Sequence, residues 1–304
     1  MAAERVAVLL MAYGGPASLD EVEPYLRDVR GGRPMSPEFV HEIRQRYAQI
    51  GGRSPIRELT EAQAAGVQRA LGSRFGVHIG MRHWHPYIRD AVERMVAEGH
   101  RRVVGIVLAP HYSTMSVGAY ETKLLEASAG RLDPAVVRSW GDHPKFLDAV
   151  ASRVSQTLRR FSSPDAVQVL FTAHSLPERI VAAGDPYPDQ LRASASAVAQ
   201  RVGLADWRFA FQSAGATAEP WLGPEAGAVM TDLAKQGHRA FLIVPIGFLC
   251  DHVEVLYDVD VMYRALANRL GVQFERTPSL NDDSLLVGAL AEIAQSTAAA
   301  RGWL

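Results

Sequence analysis

Ala240 to Asp260, AFLIVPIGFLCDHVEVLYDVD, joins two kinds of sequence. Phe241 to Phe248 is an almost unbroken apolar run, the pattern of a strand buried on both faces of a parallel sheet. Directly after it, Asp251, His252, Glu254, Tyr257, Asp258 and Asp260 crowd together, and Val261 to Leu270 is helical sequence ending at Gly271. In open parallel sheets, ligands are held beyond the carboxyl ends of the strands, and this is such an end. Glu254 and Asp258, four apart on a helix, put their carboxylates on one face, with Asp251 expected above them. The same residues allow a second reading, because Asp251 followed by Glu254 also fits a capping box. Asp258 lies a turn beyond the reach of such a cap, and His252 and Tyr257 add polar groups that no cap requires.

Working outward, strand-length apolar runs fall at Val6 to Tyr13, Val77 to Trp84, Val103 to Ala109, Val136 to Trp140, Val167 to Ala173, Trp207 to Ser213 and Val272 to Thr277. Amphipathic helical stretches separate most of them, among them Pro86 to Gly99, Lys145 to Phe161, Gln190 to Gly203, Pro224 to Gly237 and Asp282 to Arg301. Strands alternating with helices imply α/β architecture with parallel sheets covered on both faces. The eight strands divide as four and four: a first domain at 1–143, and a second at 144–304 carrying the His/Glu site. Two internal echoes support the division. Glu98-Gly99-His100-Arg101 before one strand resembles Gln236-Gly237-His238-Arg239 before another, and Leu10-Met11-Ala12-Tyr13-Gly14 resembles Phe171-Thr172-Ala173-His174-Ser175. The expectation is two similar four-stranded domains with a cleft between them, Tyr13 and His174 facing one another across it.

Composition narrows the function. The chain has 304 residues, 48% hydrophobic and 21% charged, with 32 Lys+Arg against 33 Asp+Glu, and scattered positive charge excludes a nucleic-acid surface. One cysteine, Cys250, excludes an intrachain disulfide or a cysteine-only cluster, in keeping with a reducing cytoplasm. The apolar runs are too short for a bilayer, and the start of the chain reads as a first strand and not as a signal peptide. A stretch at 14–76, read as an insertion without counterpart in the second half, carries Arg27, Arg30, Arg33, Arg44, Arg46, Arg53 and Arg57 with Tyr25 and Tyr47. Singly these arginines suit solvated helix faces. Together, guanidinium groups and rings above a cleft suit a flat organic anion. His174, where a strand gives way to a loop, can accept a proton near neutral pH, and with the carboxylates it makes a divalent-metal and proton-transfer site. His83 and His85 are placed to feed metal to it.

MAYGGP at Met11 to Pro16, APHYSTMSVGAY at Ala109 to Tyr120, FTAHSLPER at Phe171 to Arg179, QSAG and PWLGP between Gln212 and Pro224, and PIGFLCDHVEVLYDVD at Pro245 to Asp260 resemble the ferrochelatase family over almost the full length. That resemblance implies a chelatase-like fold and ATP-independent insertion of ferrous iron, a substrate, into a porphyrin. Tyrosine in the MAYG position is similar to the bacterial branch that acts on coproporphyrin III in haem biosynthesis. It further implies His174 and Glu254 as the catalytic and metal-site pair, Tyr13 as an axial oxygen ligand on the other porphyrin face, and Arg30, Arg46, Tyr47, Ser54 and Tyr120 as further porphyrin-binding positions. His83 and Asp258 are assigned to an outer path for metal or protons. Where the acidic ladder Glu254, Asp258 reaches its next turn stands Met262, which leaves no further outer site. No [2Fe–2S] cluster or other prosthetic group is expected, nor a stable membrane anchor. A transient handover to the next haem-pathway enzyme is expected. Protoporphyrin IX as substrate, a cobalt or sirohydrochlorin chelatase, and a non-catalytic porphyrin or haem carrier are the competing readings.

Overall fold

The computed structural model describes residues 5–215 and 217–304. Eight strands form two four-stranded sheets: β1 (Val6–Ala12), β2 (Phe75–Met81), β3 (Arg102–Val107) and β4 (Asp133–Val137) in the first, β5 (Gln168–His174), β6 (Trp207–Gln212), β7 (Ala240–Val244) and β8 (Gln273–Arg276) in the second. Their orders, β2-β1-β3-β4 and β6-β5-β7-β8, are the same topology used twice, and all the pairings are parallel. The internal echoes fall at matching places: one at the ends of the central strands β1 and β5, the other just before β3 and β7. β7 stops at Val244, short of the Phe248 that its apolar run suggests, because Pro245 has no N–H to continue the ladder and the chain turns through Phe248 N–H to Pro245 O.

The helices are α1 (Val22–Val29), α2 (Pro37–Gln49), α3 (Ile56–Leu71), α4 (Ile88–Ala97), α5 (Val117–Ser128), α6 (Pro144–Leu158), α7 (Arg179–Ala182), α8 (Tyr187–Val202), α9 (Ala226–Lys235), α10 (Val253–Leu256), α11 (Arg264–Leu270) and α12 (Ser284–Ala300). The stretch at 14–76 is therefore not one insertion. α3 buries Ile56, Ala64, Val67 and Leu71 and serves as the crossover from β1 to β2, as α8 does from β5 to β6. Only α1 and α2 are additional, and they pack around their own small core of Val22, Tyr25, Leu26 and Tyr47.

α12 comes last in sequence but packs on α3 and on β3 and β4 of the first half as well as on α6. Its Leu286, Leu290 and Ile293 join Val8, Leu10 and Ile106 of the first sheet and Phe171, Leu242 and Val244 of the second in one continuous core. Burial of that many large apolar side chains, at about 1.5–3 kcal/mol each, fixes how the two sheets stand to one another. The site that lies between them is thereby held on a rigid base. Among the described residues no helix is long and apolar enough to cross a membrane.

Candidate active site

β1 and β5 carry their last side chains into one cavity of about 350 Å³, walled by both halves of the chain. Two glycines allow the close approach. Gly14, at φ 93°, turns the chain immediately after Tyr13, where a Cβ would lie 2.9 Å from the Trp84 nitrogen. A Cβ on Gly247 would sit 2.6 Å from the Cβ of Ala173, so glycine lets the loop after β7 close onto the end of β5. That closure brings α10 up to His174.

The result is a carboxylate between two imidazoles. His174 Nε2 is 3.5 Å from Glu254 Oε1, and His252 Nε2 is 3.7 Å from Glu254 Oε2. Each ring is oriented from its other nitrogen: His174 Nδ1 donates to the Ser175 carbonyl, and His252 Nδ1 to the Cys250 carbonyl at 2.9 Å. Tyr187 Oη adds a bond to the His174 carbonyl at 3.0 Å. Both Nε2 atoms are thus left for a proton or a metal. Burial disfavours charge on His174 and His252, but the Glu254 carboxylate more than offsets it and raises both above the ordinary imidazole value. For Glu254, burial acts to raise the carboxyl group and the two imidazoles outweigh it, so it is held far below its ordinary range. About a third of the His174 and Glu254 side chains stays exposed, and both line the cavity.

Tyr13 stands on the wall contributed by the first half. Its phenol is pushed up to about 12, by burial first and then by the charge of Glu254, against the opposing Arg82. Arg82 holds its guanidinium 6.0 Å from the Tyr13 ring and 5.5 Å from the Tyr120 ring. Tyr47, Ser54 and Tyr120 also line the cavity.

Arg30 and Arg46 stand back from the cavity wall. Arg30 lies over the Phe39 ring, 5.5 Å from its centroid. Arg46 pairs with Glu42 at 2.6 Å and reaches to 4.0 Å from Asp258 Oδ1. Asp258 accepts from Ser213 Oγ, and burial followed by the charge of Glu254 raises its carboxyl. His83 packs its ring on Tyr13 at 4.7 Å and donates Nδ1–H to Asp28 at 2.9 Å. Hence His83 backs Tyr13 while Asp258 neighbours Glu254. His85 packs against Trp84 and Tyr87.

Asp251 is a correction. It neither caps α10, whose N-cap is His252 without a side-chain bond, nor stands over Glu254. Ser279 Oγ and Asn281 Nδ2 donate to it at 2.7 and 3.0 Å, and Arg276 lies 3.5 Å away, so the end of β8 and the loop after it hold this carboxylate. Asp260 is likewise taken by Arg276, at 2.8 Å. Beyond α10 the backbone widens into a π-helical turn, Asp258–Tyr263, with Met262 N–H reaching back to Tyr257 O at 2.9 Å.

Arg82 is the functional side chain that sequence reading passed over, and His252, noted there only as a polar group beyond the needs of a cap, is found beside Glu254. Two residues from Glu254, His252 would face away on a regular helix. Its extended backbone, φ −162° and ψ −179°, turns the ring back toward the carboxylate.

Comparison with known proteins shows the family and the fold. A sequence description of the family named Ferrochelatase matches residues 5–298. A protein of Herpetosiphon aurantiacus named ferrochelatase is 44% identical over 298 residues, 95% of this chain and 98% of that one. One of Bacillus pumilus named coproporphyrin III ferrochelatase is 39% identical over 303 residues, covering 96% and 97%. Among solved structures, a sirohydrochlorin chelatase of Bacillus subtilis subspecies spizizenii in complex with cobalt superposes with TM-score 0.63 at 10% identity, covering 97% of this chain and 96% of that one, and so shares the fold. With a twice-used chelatase sheet, an imidazole and a phenol at the ends of its two central strands, and a family match along nearly all its length, this chain belongs to the ferrochelatase family.

Proposed function

We propose that this chain inserts ferrous iron into coproporphyrin III, with His174 and Glu254 as the catalytic pair. The observation that carries the reading is the meeting of His174 Nε2 with Glu254 at 3.5 Å on a cavity whose other wall presents Tyr13. Metallation removes two pyrrole protons and needs iron released by its carrier ligands. A neutral imidazole accepts a proton, and its raised affinity beside Glu254 makes it a better base than a free histidine. One imidazole and one carboxylate hold iron weakly enough to give it up, where a closed four-ligand cage would retain it. His252 shares the other oxygen of Glu254 and so offers a second place for the displaced proton.

Tyr13 approaches the metal from the other porphyrin face. Replacing it, Tyr13→Phe, is expected to change the visible spectrum of the bound iron product and to alter its release. An unchanged spectrum would count against an oxygen ligand at this position.

For the tetracarboxylate substrate, the support is two guanidinium groups. Arg30 and Arg33 have no carboxylate partner within salt-bridge distance among the described residues, and Arg33 lines an open groove of about 670 Å³ with His41 and with Arg27 and Arg44, which pair with Glu23 and Asp20. Unpaired guanidinium groups suit propionates, of which coproporphyrin has more than protoporphyrin. Iron insertion is expected to run faster with coproporphyrin III than with protoporphyrin IX when the two are assayed side by side. Equal or better rates with protoporphyrin IX would defeat the assignment. A cytoplasmic setting and ferrous iron as substrate, with no prosthetic group, complete the proposal.

A further inference from the structure

The amino end of the first sheet, away from the cleft, holds a second group of metal-ligand side chains: His78 on β2, Glu98 at the end of α4, and His100 just before β3. The donor atoms lie within 4.8 Å of one another, with His78 Nε2 3.6 Å and His100 Nε2 3.7 Å from Glu98 Oε2. Two ligands bound tetrahedrally at about 2.1 Å stand about 3.4 Å apart, close to these separations. The side chains of His78 and His100 are 8% and 2% exposed, and neither Nε2 has a hydrogen-bond partner. His100 Nδ1 lies 3.1 Å from the Arg5 carbonyl, which obliges it to donate there. In a neutral ring the Nε2 lone pair then points at a carboxylate oxygen. Such an arrangement requires a cation or a shared proton between them.

The backbone does not itself demand these residues. Gly99 N–H bonds Val96 O and His100 N–H bonds Met95 O, closing α4 in a Schellman turn at φ 83°. α9 ends in the same way, with Gly237 N–H to Ala234 O and His238 N–H to Leu233 O. There the matching residues are Gln236 and His238, and the residue of β6 matching His78 is Arg208: β1 pairs Leu9 with His78, and β5 pairs Leu170, two residues before Thr172, with Arg208. One fold motif thus occurs twice, and only the first copy carries the ligand set. Glu98 also sits at the negative end of α4, which favours a cation.

We infer that His78, Glu98 and His100 form a second divalent-metal site, of the two-histidine, one-carboxylate kind that takes zinc or another borderline transition ion. Three protein ligands leave a position open to water. Its role is to tie β2 to the α4–β3 turn, independently of the iron-insertion site.

The test uses Zn²⁺ with the full chain, by equilibrium dialysis and by ¹⁵N resonances of the histidine rings. Zinc is expected to shift the Nε2 resonances of His78 and His100 in the wild type and equally in His174→Ala. Glu98→Gln, at a half-exposed position that tolerates change, is expected to weaken this site about tenfold or more while iron insertion is unchanged. His78→Gln with His100→Gln removes the site. Zinc that leaves the two Nε2 resonances in place, or a zinc count unaltered by Glu98→Gln, would mean that the cluster shares only a proton, and the site would be abandoned. Because the His174→Ala protein is included, failure here and failure of the iron-insertion reading give different results.

Discussion

His174→Ala is expected to lower the rate of iron insertion by about 10²- to 10⁴-fold, the span that removal of a positioned base produces. Porphyrin affinity is expected to change little, because the flat contacts are proposed to come from Tyr13, Tyr47, Tyr120 and the apolar residues that line the same cavity. The substitution also frees Glu254 Oε1 from its partner at 3.5 Å, leaving His252 at 3.7 Å to hold the carboxylate. The fold is secure, since His174 is the last residue of β5 and its strand remains packed through Phe171 and Ala173 in the shared core. Binding is followed by quenching of porphyrin fluorescence, and insertion by loss of the free-base spectrum in a single turnover. A near-normal insertion rate would remove His174 from the chemistry. Loss of porphyrin binding in step with loss of rate would make it a structural residue. If the wild type itself fails to accelerate insertion in one turnover while binding the porphyrin, the chain is a carrier and both roles fall.

The repeated topology was legible because apolar periodicity and the two echoes are local signals. Strand positions followed from runs such as Val103 to Ala109, and the equivalence of Tyr13 and His174 followed from short repeated stretches at the ends of β1 and β5. What sequence could not carry were directions decided by distant partners. Asp251 reads as a cap or a ligand, yet Arg276, Ser279 and Asn281, about 30 residues later, decide that it is neither. His252 enters the site only through an extended N-cap conformation that no periodicity encodes. Arg46 and Asp258 approach to 4.0 Å across more than two hundred residues of sequence, a pairing that only the closed core supplies. The crossover role of α3 was hidden for a similar reason: its apolar face covers β1, β2 and α12, and α12 is at the far end of the chain.

Glu254→Gln is expected to abolish most turnover and, more tellingly, to lower the proton affinity of two histidines at once. In the native chain burial opposes charge on His174 and His252, and the Glu254 carboxylate reverses that opposition. With a neutral amide in its place, burial is opposed only by the Ser175 and Cys250 carbonyls and by the charge of Asp258, and both imidazoles are expected to bind a proton more weakly than in the native chain. The pH dependence of stability follows from the same charges. Raised imidazoles stabilise the fold fully below their unfolded value, and that contribution disappears as pH rises through their folded values. A depressed carboxyl group stabilises above its unfolded value, 4.5, and the benefit disappears as pH falls through its folded one. The triad therefore stabilises most between those limits, and the stability lost in Glu254→Gln is expected to be greatest from about pH 5 to pH 6.5 and to shrink at higher pH. Denaturant unfolding across pH measures the second effect, and the ring carbon–proton resonances of His174 and His252 measure the first. Imidazoles that titrate unchanged in the variant would show that the carboxylate does not set their charge, and the proton-accepting role given to His174 beside it would have no electrostatic basis.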